Sequence, residues 1–310
     1  MKRAISLLLT LVLVLGACLS LASCQPANDY TVGVVQLMKH DSLDEATKGF
    51  VDALNKKMEE AGKTVDIQVT IAGDVDTCPT AVGVYVSQNV DLIMANATPA
   101  LTAASNATAT IPILGTSVTS YEDTYKSGIP SNVGGTSDAV PFDEQAQKMI
   151  DTIGLVEGDK VGVIYCSSES NSVFQYNAVK EYLEGKGIVV GDPYTFSEIS
   201  ELQATVVRAT SECKAIFVPS DNTVSQNEAI VDTVARETKT PVFTSYGGPI
   251  CYCSLAISYY DLGYRTGEMA AEILLGNKTI ADFEIETLVP TVAYNEDLCE
   301  LLGIAIPEEN

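Results

Sequence analysis

Tryptophan is missing from this sequence, histidine occurs once, at His40, and basic residues are scarce: 18 Lys and Arg stand against 41 Asp and Glu, a formal charge of −23. Each shortage removes a class of function. With one imidazole, a His-rich zinc site, a carboxylate–His–zinc arrangement and most Ser-His-Asp hydrolase schemes lack parts unless His40 serves alone. An acidic chain without a basic cluster repels a phosphate backbone, so no nucleic-acid partner is expected. No G-x-S-x-G elbow is present either. What is there is a globular composition: 310 residues, 46% hydrophobic, enough for one large domain or two ordinary ones with real cores.

The N-terminus points to a compartment. Lys2-Arg3, then the almost wholly apolar run Ile5 to Val14, then small residues up to Cys24 read as an export signal, too short and wrongly flanked for a comfortable membrane span. Leu21-Ala22-Ser23-Cys24, followed by the polar Gln25-Pro26-Ala27-Asn28-Asp29, looks like a lipobox in which Cys24 is lipidated and becomes the mature N-terminus. Leu15-Gly16-Ala17-Cys18 is a second match, but more apolar residues follow it. Residues 1–23 are then a lipoprotein signal and 24–30 a tether, with acyl chains holding a soluble body at an extracytoplasmic membrane face.

Six cysteines remain: Cys78, Cys166, Cys213, Cys251, Cys253 and Cys299. An even count in an exported chain permits disulfides, but the spacings are irregular and a chain this size needs no staples, so free buried thiols are equally open. Cys251-Tyr252-Cys253 lacks a neighbouring His and is a weak metal signal; no metal and no cofactor are expected.

Beyond the tether, short β-branched runs alternate with amphipathic stretches, the pattern of parallel sheets flanked by helices. Val32 to Leu37 is a buried strand, and the helix after it starts at Ser42 with a capping-box partner at Glu45. Further strands are expected at Val65 to Thr70, Asp91 to Ala95 and Ile111 to Leu114; Thr98 is placed to cap a helix whose first residue is Pro99. The second half repeats the order: Val161 to Tyr165, a polar turn and helix, Ala215 to Val218, another turn and helix, then Thr240 to Phe243. This echo predicts two similar Rossmann-like lobes. Leu255 to Tyr259 reads as a strand and Glu284 to Thr291 as extended, both returning between lobes. In the helix between them, Gly263, Gly267 and Ala271 share one face, which allows close approach to a sheet. The division is 31–137 plus 248–282 for the first lobe and 138–247 plus 283–310 for the second.

In such sheets ligands bind beyond the carboxyl ends of the strands. Those positions are Lys39-His40-Asp41-Ser42, Thr98 and Gly115-Thr116-Ser117 in the first lobe. The second supplies Ser168-Glu169-Ser170-Asn171-Ser172, Asp221-Asn222-Thr223 and Ser245-Tyr246. Hydroxyls and helix N–H groups suit a carboxylate, and Glu169 or Asp221 an ammonium, so the mixture suits a zwitterion. Each of these residues, taken alone, is as well explained as a helix cap.

At this point the sequence resembles the extracytoplasmic substrate-binding proteins of ABC importers, in the group that includes tryptophan- and tyrosine-binding members. The likeness is carried by Gly162-Val163-Ile164-Tyr165 with Ser168-Glu169-Ser170-Asn171-Ser172, and by Val218-Pro219-Ser220-Asp221-Asn222-Thr223-Val224. Pro241-Val242-Phe243 with Gly247-Gly248, and Tyr259-Tyr260-Asp261-Leu262-Gly263, extend it over nearly all of the mature chain. The resemblance implies a type I periplasmic-binding fold with three crossovers, capture of a small molecule for a membrane permease, and no chemistry on it. It implies Glu169, Asn171, Ser172, Asp221 and Asn222 as second-lobe contacts, with Thr98, Thr116 and Ser117 opposite. Two departures stand out: Ser258 replaces the Asp usual before the paired tyrosines, which weakens an ammonium site if it faces the cleft, and Tyr246 stands where small or acidic residues are common, placed to stack on a flat ligand or to plug the pocket.

The leading expectation is therefore a monomeric, lipid-anchored receptor handing an amino acid or a relative to an ABC permease. A sensory ligand-binding component shares the same fold and pocket, and an exported hydrolase using Glu169 and Asp221 is the remaining alternative.

Overall fold

The computed structural model describes residues 28–306. The expected leader, Cys24 and most of the tether lie outside the described residues. β1 (Tyr30–Gln36) runs through the centre of the first lobe, with Val32, Val34 and Val35 fully buried, as a strand covered on both faces requires. α1 (Asp41–Glu60) buries Leu43, Ala46, Phe50, Ala53, Leu54 and Met58 at helical spacing. There follow β2 (Val65–Ile71), α2 (Cys78–Gln88), β3 (Leu92–Asn96), α3 (Thr98–Ala107), β4 (Ile113–Val118), the short α4 (Tyr121–Thr124) and β5 (Val133–Ser137). They form a parallel sheet in the order β2-β1-β3-β4-β5, extended past β5 by the two-residue strand Glu286–Thr287.

The second lobe contains α5 (Phe142–Ile153), β6 (Val161–Cys166), α6 (Ser170–Gly185), β7 (Tyr194–Phe196), α7 (Ile199–Glu212), β8 (Ala215–Val218), α8 (Asn222–Gln226), α9 (Glu228–Thr238) and β9 (Val242–Thr244). Its parallel sheet is ordered β7-β6-β8-β9. In both lobes the chain winds first to one side of its opening strand and then to the other. This places a strand-order reversal between β1 and β3, and another between β6 and β8. The remaining elements are β10 (Cys253–Ala256), α10 (Tyr259–Leu274), β11 (Glu286–Thr287), β12 (Thr291–Tyr294) and α11 (Glu296–Leu302). Three passages join the lobes, at 138–141, 257–258 and 288–290. The architecture is the α/β, two-lobed arrangement that the alternating pattern predicts.

Several local expectations shift. β10 pairs antiparallel with β12, Cys253 opposite Tyr294, and packs against α5 and β9. The stretch from 248 to 256, expected with the first lobe, thus lies with the second, while β11, expected with the second, is an edge strand of the first. The strand expected at Leu255 to Tyr259 ends at Ala256, and Tyr259 begins a helix. α1 starts at Asp41, after an extended His40 that caps it with no side-chain hydrogen bond. α3 starts at Thr98, so the cap position falls to Ala97.

The glycine face of α10 meets a helix, not a sheet. A Cβ on Gly263 would overlap the Ala46 carbonyl, and one on Gly49 would overlap the Tyr260 carbonyl. α1 and α10 therefore cross backbone to backbone, and no side chain fits between them there.

The six cysteines among the described residues are all buried and free.

Candidate functional site

The carboxyl ends of both sheets face one narrow cavity of about 10 Å3, room for about one water. Its first-lobe wall is His40 from the β1–α1 turn, Ser42 and Leu43 in the first turn of α1, Ser117 at the end of β4, Asp138 just past β5 and Tyr259 opening α10. The second-lobe wall is Asn171 in the first turn of α6, Ser220, Asp221, Asn222 and Ser225 around α8, and Tyr246 after β9. The two strand-order reversals thus open onto a shared space.

Ser117 sits where the β4–β5 register breaks, between Gly115 and Val118. Its φ of 54° is left-handed, a conformation that costs a non-glycine residue about 1–3 kcal/mol. Its hydroxyl is buried without a hydrogen-bond partner. Eight buried side-chain oxygens among the described residues lack partners, and four of them line this cavity: Ser117 Oγ, Asp138 Oδ1, Asn171 Oδ1 and the Tyr246 hydroxyl. Buried polar groups are nearly always paired, so this concentration marks a surface prepared for something else to bind.

Glu169 and Asp221 are buried but otherwise occupied. Glu169 accepts four hydrogen bonds, from the backbone N–H and Nδ2 of Asn222 at 2.9 and 2.7 Å and from the N–H and hydroxyl of Thr223 at 2.8 and 2.7 Å. Asp221 accepts from Cys166 N–H, the Ser172 hydroxyl and Val224 N–H, each at 2.8 Å. Burial, and then the nearby Glu169 charge, pushes the Asp221 carboxyl well above the usual carboxylate range. The pair knits α6 to α8; both acids stand on the same lobe, and Glu169 is not in the cavity wall, so they do not flank a substrate as a hydrolase pair must.

Asp138 differs. Its Oδ2 accepts from the Tyr259 hydroxyl at 2.9 Å while Oδ1 has no partner, and burial raises its carboxyl above the ordinary range.

Of the residues picked out by the sequence, His40, Ser42, Ser117, Asn171, Asp221, Asn222 and Tyr246 come together in the wall. The others stand elsewhere. Thr98 is buried in the first turn of α3. Thr116 shares a buried hydroxyl chain with Thr136 and Thr266. Ser172 holds Asp221, and Ser168 is exposed beside Cys166 Sγ. Ser258 is exposed and caps α10, accepting from Asp261 N–H. Asp138 and Tyr259 were missed as site residues because they stand at the ends of passages between lobes and not in strand-to-helix turns.

Three contacts run from one lobe to the other. His40 Nε2 meets Asn222 Oδ1 at 3.2 Å. Gln175 donates to the Thr119 hydroxyl at 3.3 Å while accepting from Ser220 N–H at 3.0 Å. Gln226 reaches the Lys39 carbonyl at 3.5 Å. Burial holds His40 below the usual imidazole range, so it bridges the lobes uncharged.

Two α/β lobes closed over one small polar cavity define a solute-binding protein of the type I periplasmic class. Residues 31–309 match the family model described as ABC transporter substrate binding protein, and the chain belongs to that family. A curated relative, the tyrosine-binding protein of Clostridioides difficile (strain R20291), is 35% identical over 285 residues, covering 88% of this chain and 81% of the relative. The structure of an ABC domain from Streptococcus pneumoniae in complex with L-Trp is 30% identical, with 90% of this chain and 96% of that one covered and a TM-score of 0.82. The ligand-free, open structure of a substrate binding protein with adhesive properties from Clostridium difficile is 33% identical over the same shares, with a TM-score of 0.66. The more identical of these two structures superposes less well.

Members of this family bind solutes and are not enzymes, which sets aside the hydrolase alternative. Substrate-binding proteins of ABC transporters work outside the cytoplasm, and among the described residues no helix is long and apolar enough to cross a membrane.

Proposed function

We propose that the protein captures an amino acid, with aromatic ones foremost, and delivers it to the permease of an ABC importer while held at the membrane by lipid on Cys24. The observation that carries this reading is the cavity wall, where partnerless polar oxygens from both lobes converge on one narrow cleft. Relatives that bind tyrosine or tryptophan support the ligand class. The rings of Tyr246 and Tyr259 offer faces for an aromatic side chain. The N-terminus of α1 supports a carboxylate site: the turn carrying Ser42 and Leu43 faces the cavity, and no side chain of its own caps it.

Closure is a hinge motion about the three passages, with the ligand stabilising the closed state by touching both lobes. The body acts as a monomer, with residues 24–30 as the tether between it and the lipid.

Native mass spectrometry of freshly purified protein, followed by calorimetry against the twenty amino acids, tests the ligand assignment. A co-purified amino acid, or binding of L-tyrosine or L-tryptophan at micromolar or better affinity, is expected. Binding of sugars or phosphate esters alone would defeat it. For the anchor, the full-length chain expressed in its host should partition into the membrane fraction, and Cys24→Ala should release it; an unaltered distribution argues against lipidation there.

A further inference from the structure

Among the described residues, three carboxylates are buried: Asp138, Glu169 and Asp221. Their hydrogen bonds separate them. Glu169 accepts four and Asp221 three, all from groups of their own lobe, so every oxygen of both acids already has a partner within the protein. Asp138 accepts one, from Tyr259, and turns its second oxygen into the cavity unpaired. The Thr119 hydroxyl stands near this carboxyl and favours its charged form, but Oδ1 has no hydrogen-bond partner. No lysine or arginine lines the cavity. A carboxylate taken out of water and given half its hydrogen bonds is costly unless a cation meets it, and here only the solute can bring one.

We infer that Asp138, held by Tyr259, is the residue that selects a ligand carrying an ammonium group. The inference rests on the amino-acid reading above and adds to it the atom that recognises the positive end. It also resolves the departure at Ser258: that position caps α10 from the outside, and the carboxylate missing there is supplied from the end of β5. Asp138 and Tyr259 stand at the ends of two different passages between lobes. The ammonium therefore docks against the hinge itself.

The test compares L-tyrosine with its deaminated analogue 3-(4-hydroxyphenyl)propionate, and L-tryptophan with indole-3-propionate, by calorimetry. The wild-type protein should prefer each amino acid over its analogue by about thirtyfold or more, the penalty for leaving one member of a buried charge pair alone. Asp138→Asn, nearly the same shape, should lose that factor for the amino acids and abolish the preference. Tyr259→Phe should reduce the preference without removing it, and it serves as the second variant should Asp138→Asn fold poorly. A role in holding the hinge alone would weaken amino acid and analogue equally. Full retention of the preference in both variants overturns the assignment and leaves the amino-acid reading standing, whereas a wild-type protein that binds no amino acid overturns both.

Discussion

Glu169 and Asp221 are two acids of one motif type, each at a helix start, and both end as internal fasteners. Removing Glu169 strips four hydrogen bonds from the start of α8 and leaves Asn222 and Thr223 with buried, unpaired donors. Hydrogen bonds to a charged acceptor are worth about 1.5–3 kcal/mol each, and orphaned donors add to the loss. Glu169→Ala is therefore expected to lower unfolding stability by about 3 kcal/mol or more in urea titration, before any question of ligand. A variant as stable as wild type would show that the network is not carrying α8. The sequence made Glu169 legible as a strand-end residue but could not say whether its oxygens face inward to the chain or outward to a solute, because that depends on where Asn222 and Thr223 arrive, 53 and 54 residues later. Asp138 was invisible for a related reason. It follows Val133-Gly134-Gly135-Thr136-Ser137 and precedes Pro141, a strand leading into a passage, whereas the rule that found Ser117, Asn171 and Asp221 looks for turns closing within one lobe.

Among the elements, the α1–α10 pair has the least slack. Gly49 and Gly263 each sit against the other helix's backbone, and Gly267 meets the Phe50 carbonyl in the next turn. Gly263→Val has nowhere to place its methyl groups without prising the helices apart, so a loss of about 1–3 kcal/mol is expected, read as a lower denaturant midpoint. Gly276→Ala would be a poor control because its φ is +73°, but Gly83→Ala on α2, with open space around it, should be neutral or better. An unaffected midpoint in Gly263→Val would contradict the close crossing. The parallel strands were readable from their β-branched runs, since a strand covered on both faces must be apolar throughout. The β10–β12 ribbon was not. Its partners lie about forty residues apart and Cys253-Ser254-Leu255-Ala256 has no strong β signature, so its pairing comes from tertiary packing that no local pattern records.

At the scale of the whole molecule, acidity shapes the response to pH. Glu228 opens α9 half-buried, and burial together with Asp41 on the opposite lobe and Asp232 on its own helix raises its carboxyl to about 7. Between its ordinary value of 4.5 and about 7, the folded protein holds a proton that the unfolded chain has lost. Stability from this group therefore falls as pH rises through that window. His40 acts in the opposite sense: held below 6.5, it favours folding once pH is above the range where the unfolded chain would bind a proton. The effect of Glu228 is thus isolated as a difference. Glu228→Gln should gain thermal stability over wild type at pH 8, an advantage that shrinks as pH falls below 7 and is nearly gone by pH 4.5. A gap that stays constant across this range would remove Glu228 from the account.

The burial of every described cysteine has a practical side. Thiols react as thiolates, and desolvation holds Cys251 at about 12 and Cys78 at about 11, while Cys166, Cys213, Cys253 and Cys299 are screened from reagents by the same packing. A body made from residues 28–306 is in effect chemically blank toward maleimides. One new cysteine on the rim of each lobe would take up a dye pair without competition from within, and the fluorescence of that pair would follow the jaws as they shut on each candidate solute.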